Sequence, residues 1–156
     1  MAAAAVGNAV HTLLAHPGAL HQMRDRALLA TGVDELVRFD GPVQGTTRTA
    51  VRACQIGSVE ITAGQKVVVL FAAANRDPAA FARVDELVLD RTPNPHLGYG
   101  WGPHSCIGTT VAQAGLRALV TALDDYPAQL PAAGDGVRRR TATMRAFDTL
   151  PAALLS

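Results

Sequence analysis

The run Gly98-Tyr99-Gly100-Trp101-Gly102-Pro103-His104-Ser105-Cys106-Ile107-Gly108 constrains this chain more than any other segment. Glycines at 98, 100, 102 and 108 bracket one histidine and one cysteine, just before an amphipathic stretch. Glycine permits backbone conformations and close approaches that a β-carbon obstructs, so a tight loop ending near Cys106 is expected. The stretch from Gly108 to Leu123 reads as the best helix of the chain, with Val111, Leu116, Leu119, Val120 and Leu123 as its apolar side. A helix start offers free N–H groups and the positive end of the peptide dipole. Both favour a sulfur anion.

A cysteine taken alone is more often a small buried hydrophobe than a ligand. In this setting Cys106 reads as a metal-bound thiolate. No second Cys or His stands at zinc-binding spacing, because Cys54 falls in a distant strand-like run. A single axial thiolate to haem iron is therefore favoured over zinc.

The rest of the composition sets bounds. With 156 residues, 49% hydrophobic and 17% charged, the chain is one globular domain's worth of sequence. Aromatics are only 4%, and alanine supplies much of the apolar fraction, so the core is thin for its length. A net charge of +1 leaves no footprint for nucleic acid or an anionic membrane. Arg138-Arg139-Arg140 reads as a solvated turn in preference to a phosphate or acidic-partner site. Cys54 and Cys106 form no disulfide framework and fit a reducing cytoplasm. Neither a signal peptide nor a membrane span is expected: the Ala2 to Ala5 start lacks a basic region, and no apolar run reaches about 18 residues.

Along the chain, residues 2 to 15 read as a helix with Val6, Val10, Leu13 and Leu14 on one face, stopped by Pro17-Gly18. A short helix over 19–29 and another over 31–39 follow, the latter with Thr31 as N-cap, Asp34 three residues on, and Gly41-Pro42 at its exit. The β-branched runs 46–49, 51–56, 59–61 and 67–70 read as small antiparallel hairpins. Residues 75–95 form an irregular meander of a length usually functional or tied down by side chains. Tyr126-Pro127 closes the last helix, and 130–156 reads as a loop with one or two edge strands.

Glu35-Leu36-Val37-Arg38 places a carboxylate and a guanidinium on neighbouring helical turns. Alone, such a pair is usually a solvated surface contact worth a few tenths of a kcal/mol.

Taken in this order and at this interval, the two features resemble the C-terminal part of the cytochrome P-450 haem-thiolate monooxygenases of the bacterial soluble type. Residues 32–44 resemble the family's Glu-x-x-Arg helix and its exit, and Thr46-Thr47-Arg48 its propionate-binding strand. Asn75-Arg76-Asp77-Pro78 through Arg91 resembles the meander, and Asn94-Pro95-His96-Leu97 the approach to the cysteine loop. The implied fold is α+β and mainly helical: small β-hairpins, meander, cysteine loop and long helix. Residues 1–156 would be a single haem-thiolate domain, truncated to its proximal half.

The resemblance implies roles for particular residues. Cys106 would be the axial ligand to the iron of haem b. Arg48 and His104 would bind the haem propionates, a contact a guanidinium makes well. Tyr99, where the family most often has Phe, would pack on the porphyrin, with Gly100 and Gly108 completing the cradle. Glu35, Arg38 and Arg91 would form a buried ion-pair triad locking the meander to the cysteine loop.

Residues 4–17 resemble the last turns of the helix that covers the distal haem face, which puts Met1 and Ala2 where the oxygen-activating Thr should stand. Thr12 lies too late to substitute, so no catalytic residue is assigned. One porphyrin face would then be uncovered, an apolar patch that demands a cover. Dimerisation or a complementing N-terminal chain is expected. The implied activity is insertion of one oxygen atom from O2 into a small organic substrate, with electrons from a ferredoxin- or flavodoxin-like donor. The alternative is a naturally truncated, non-oxygenase haem-thiolate or accessory protein completed by another chain; a third possibility is a genomic fragment without a stable function.

Overall fold

The structure is a computed structural model and describes residues 1–16, 18–123 and 133–153. Helix α1 spans Ala2–Ala15, α2 Ala19–Gln22 and α3 Arg26–Asp40. Four strands follow, β1 Thr46–Thr49, β2 Cys54–Ile56, β3 Val59–Ile61 and β4 Lys66–Val69, then the short helix α4 Phe71–Ala74. A 3-10 turn at Gly102–His104 precedes α5, Thr109–Ala122, and β5 Val137–Arg138 with β6 Phe147–Thr149 ends the described part.

Helices α1, α3 and α5 pack on one another. Leu13, Leu20, Met23, Val33, Leu36, Val37, Leu89, Leu116 and Val120 fill the space between them. The strands form two-stranded antiparallel ribbons that stand off this core. β2 and β3 make a hairpin in the register Cys54 with Ile61, while β1 pairs with the later strand β4 and encloses that hairpin. The C-terminal ribbon β5–β6 is bulged and is tied to the α3 exit through a bridge between Val43 and Met144.

Several local expectations change. Helix α3 starts earlier than Thr31, because the Asp25 carboxylate accepts from the Ala27 N–H and caps it there. Thr31 instead sits inside the helix, its hydroxyl reaching back to the carbonyl of Leu28 at 3.4 Å. The 19–29 helix is correspondingly cut short at Gln22. On α1 the buried face is Asn8, Ala9, Thr12 and Leu13, while Val6, Val10 and Leu14 are only half-buried. The polar Asn8 is drawn inward because it bridges distant backbone, donating to the carbonyls of Asp40 and Arg145, both at 2.9 Å.

On α5, Leu116 and Val120 are buried and Leu119 and Leu123 half-buried, but Val111 is exposed. Five residues before Leu116, it lies well around the helix from that stripe. The strand expected over 51–56 is ordered only from Cys54, and Val51 stands in solvent. Pro17, Tyr126, Pro127 and Leu130 lie outside the described residues, so the helix stops assigned to 17 and 126–127 do too.

The arginine run is not a solvated turn. Arg138 lies in β5 and donates to the buried Asp40 carboxylate at 2.9 Å and to Asn8 Oδ1 at 3.0 Å. Arg139 pairs with Asp148 at 2.7 Å.

Candidate functional site

Glu35 is fully buried on α3, and every oxygen of its carboxylate is used. Oε1 accepts from Arg38 Nη2 and from the Val88 N–H, both at 2.9 Å. Oε2 accepts from Arg38 Nε at 2.7 Å, from Arg91 Nε at 2.9 Å and from the Asn94 amide at 3.3 Å. Two guanidiniums and two neutral donors therefore surround one carboxylate, which is the arrangement a charge needs if it is to leave water.

Arg38 is equally saturated. Beyond Glu35 it donates to the carbonyls of Asn75, Val84 and Glu86, so all five guanidinium hydrogens are placed. Arg91 adds the carbonyls of Ala82 and Arg83. The buried ring of Phe81 lies near both guanidiniums, with the Arg38 and Arg91 carbons 5.4 and 5.8 Å from its centroid. The meander has no regular secondary structure, and these donors hold its carbonyls in place.

The cysteine loop is built from the same helix. Asn75 Oδ1 accepts the Leu97 N–H at 2.7 Å, while the Asn75 carbonyl takes Arg38. Gly98 lies so close to α3 that a β-carbon there would overlap Val37 Cγ1. Gly100 and Gly102 adopt φ of +74° and +76°, the left-handed region that only glycine enters freely. The loop then returns on itself: the Cys106 N–H donates to the Tyr99 carbonyl at 2.8 Å. The Cys106 carbonyl accepts both the N–H and the hydroxyl of Thr109, at 3.2 and 2.7 Å, which joins the loop to the first turn of α5. Cys106 is a free, half-buried thiol flanked by fully exposed Ile107.

The structure thus brings Glu35, Arg38 and Arg91 together, and Tyr99, Gly100, Cys106 and Gly108 together. Gly108 is the N-cap of α5, with an ordinary φ, and a β-carbon there would sit 3.6 Å from the Cys106 sulfur. Tyr99 packs against the helical core, its ring centroid 5.6 Å from that of His96. Burial, then the Asp34 carboxylate, pushes its phenol up to about 12. Arg48 stays apart from the cysteine loop. It is exposed on β1 and bonds only to Thr46 and Thr47 of its own strand among the described residues. His104, in the 3-10 turn, is exposed two residues before the cysteine.

Sequence reasoning missed the supports of this site. Asn75 and Asn94 serve both the meander and the approach to the loop, and their position in Asn-Arg-Asp-Pro and Asn-Pro-His-Leu was the available signal. Asp34, placed as a capping helper, instead faces α5 and the loop. It accepts from Gln113 at 2.7 Å and lies 3.9 Å from His96 Nε2. The His96 ring, ahead of Gln113, holds its carboxyl below the ordinary value against the opposing effect of burial. Arg138 and Arg145 form a second cluster around the buried Asp40 carboxylate that no motif announced. No group of three or more His, Cys, Asp or Glu side chains positioned to hold a metal ion occurs among the described residues. A metal here would rest on one protein ligand.

Comparison with known proteins agrees with this geometry. The cytochrome P450 family profile matches residues 8–125. Putative cytochrome P450 140 of Mycobacterium tuberculosis (strain ATCC 25618 / H37Rv) is 40% identical over 153 residues, which cover 96% of this chain and 34% of that protein. The biotin biosynthesis cytochrome P450 of Bacillus subtilis (strain 168) is 36% identical over 148 residues, covering 94% of this chain and 38% of that one. Among solved structures, CalO2 superposes with a TM-score of 0.91 at 35% identity, covering 99% of this chain and 40% of its own. P450BioI in complex with a hexadec-9Z-enoic acid-ligated acyl carrier protein gives 0.88 at 36% identity, with 97% and 40% covered. The chain spans about a third of the length of the curated relatives it matches. With its Glu-x-x-Arg helix, locked meander and glycine-framed cysteine loop in the family's order, the chain belongs to the cytochrome P450 family, whose members bind haem b.

Proposed function

We propose that this chain is the thiolate-bearing, proximal part of a haem monooxygenase, with Cys106 Sγ as the axial ligand to the iron of haem b. The observation that carries it is the loop itself: one free thiol, framed by left-handed Gly100 and Gly102 and fastened by its own N–H to the Tyr99 carbonyl.

The residues present fit such a cofactor. A lone soft sulfur ligand suits haem iron, which Cys106 would hold. Exposed Trp101, Ile107 and Val111 around the loop and the start of α5 offer apolar surface. Arg48 and His104 are cations or potential cations with no carboxylate partner among the described residues, as groups reserved for propionates would be. What remains open of the Tyr99 ring would pack on the porphyrin, while Gly100 allows the loop its left-handed turn and Gly108 keeps a side chain away from the sulfur. The haem, when bound, supplies the one-electron and oxygen chemistry.

This chain's own contribution is to hold the Cys106 sulfur oriented and tethered to α3. Helix α5 begins directly behind the loop and turns its free N–H groups and dipole toward it. The triad of Glu35, Arg38 and Arg91 keeps the meander under that loop. No distal acid–alcohol pair is assigned within these residues. The distal face and substrate contacts would come from sequence beyond them, in the same polypeptide or in a complementing chain. Electrons would come from a ferredoxin- or flavodoxin-like protein, and the substrate would be a small organic molecule. No helix among the described residues is long and apolar enough to cross a membrane, and the two free thiols suit a reducing cytoplasm.

The test is spectroscopic. Haem-reconstituted protein, reduced and exposed to carbon monoxide, should show the far-red-shifted Soret band of thiolate ligation. Cys54→Ser should keep that band and Cys106→Ser should lose it. Absence of the band in the parent protein, or its survival in Cys106→Ser, would overturn the proposal.

A further inference from the structure

We propose that His96 is a positioning residue for the cysteine loop, holding Cys106 in place through the backbone of Gly98 and Tyr99. The side chain of His96 is nearly buried, and its Nδ1 accepts the Gly98 N–H at 3.1 Å. An acceptor at Nδ1 places the ring proton on Nε2, and that nitrogen faces Asp34 Oδ1 at 3.9 Å. Asp34 is fixed in turn by the Gln113 amide of α5 at 2.7 Å. The imidazole therefore stands between a helix-bound carboxylate on one side and the loop backbone on the other.

The next peptide group is the one that matters. Gly98 precedes Tyr99, whose carbonyl accepts the Cys106 N–H at 2.8 Å. Fixing the Gly98 amide fixes the chain direction entering Tyr99, and so the position from which that carbonyl holds the cysteine. Gly98 also sits tight against Val37, where even a β-carbon would overlap Cγ1, so it has little room to move toward α3 and find another partner. The His96 ring also lies against the Tyr99 ring. Without His96 the part-buried Gly98 N–H would lose this partner, and the loop would open to hydrate it.

The inference needs the haem reading only for its second readout. The first uses haem-free protein and amide hydrogen exchange. His96→Ala should speed exchange at the Gly98 and Cys106 amides roughly five-fold or more, the loss of one neutral hydrogen bond, while α5 amides keep their wild-type rates. His96→Asn should restore protection, since its Oδ1 occupies the place of Nδ1. Should His96→Ala not fold, His96→Gln replaces it: the longer amide reaches the Asp34 side and leaves Gly98 unpartnered, so fast exchange is expected. Unchanged Gly98 and Cys106 rates, an equal acceleration across α5, or no restoration by Asn would overturn the assignment. The second readout is the reduced carbon monoxide adduct of haem-loaded protein. The share of thiolate-type Soret band should fall in His96→Ala and return in His96→Asn. If the parent protein yields no such band, the haem reading fails while the exchange result still decides the role of His96.

Discussion

Glu35 and Arg91 stand 56 residues apart in the chain and meet in the core, Oε2 to Nε at 2.9 Å. The contact closes a long loop through a meander whose backbone pairing is confined to isolated turns. Arg38, one turn along the helix, shares the same carboxylate with its side chain fully buried. Two buried cations thus depend on one anion.

Replacing Glu35 with Ala should therefore cost about 3–5 kcal/mol, the range for removing one partner from a buried ion pair. Arg38→Lys should also be costly, because an ammonium offers three donors where five are in use. Urea denaturation of the variants checks both. A Glu35→Ala midpoint within error of the parent would remove the triad from the account of stability.

The second cluster should be weaker. Asp40 is buried and accepts from Arg138 at 2.9 Å and Arg145 at 2.6 Å, but Arg145 is half-exposed and water can replace its partner. Asp40→Ala should cost about 2 kcal/mol, within the range for hydrogen bonds to charged groups. Limited proteolysis should then cut first within 133–147, the segment these arginines anchor to α1 and α3.

Glycine substitutions should separate two kinds of constraint. At Gly100 and Gly102 a β-carbon meets nothing within 4 Å, so alanine should cost only the left-handed conformation, about 1–2 kcal/mol each. At Gly98 the obstacle is Val37, so Gly98→Ala should be partly rescued by Val37→Ala. Thermal melts of the double variant decide this: purely additive losses would refute the steric reading.

His11 should make stability fall on mild acidification. Burial, followed by the Arg138 cation, lowers its pKa below 6.5, while Asp40 partly offsets this. The unfolded chain then binds the proton first, so the contribution is complete above 6.5 and is lost as pH falls through the lower, folded value. Urea midpoints measured at pH 7.5 and 5.5 should differ more for the parent than for His11→Gln. Equal differences would show that His11 does not titrate in this way.

Much of the fold was legible because its signals are local. The glycine spacing before Cys106, the Glu-x-x-Arg pair on neighbouring helix turns and the β-branched runs each act within a few residues, and each is found near its expected place, although the run over 51–56 forms strand only from Cys54. The errors also have local causes. Thr31 lost the cap to Asp25 because a carboxylate six residues earlier captured an N–H first. Val111 was placed on the buried side of α5 although its angle around the helix sets it apart from Leu116 and Val120.

The order of elements and the position of the cysteine loop were readable from residue order alone, because backbone sterics and turn chemistry need no distant partner. The helix faces were readable only in part, since Asn8 and Thr12 are buried on α1 and Val111 is exposed on α5. Apart from the Glu35–Arg91 contact, which the resemblance to the family implied, the pairing of polar groups came from the packing: Asn75 with Leu97, Asp40 with Arg138, Asp34 with Gln113. Such pairings join residues far apart in the chain. A buried charge or amide takes whichever complementary group the packing of helices brings within about 3 Å, and no periodicity in the sequence encodes that choice.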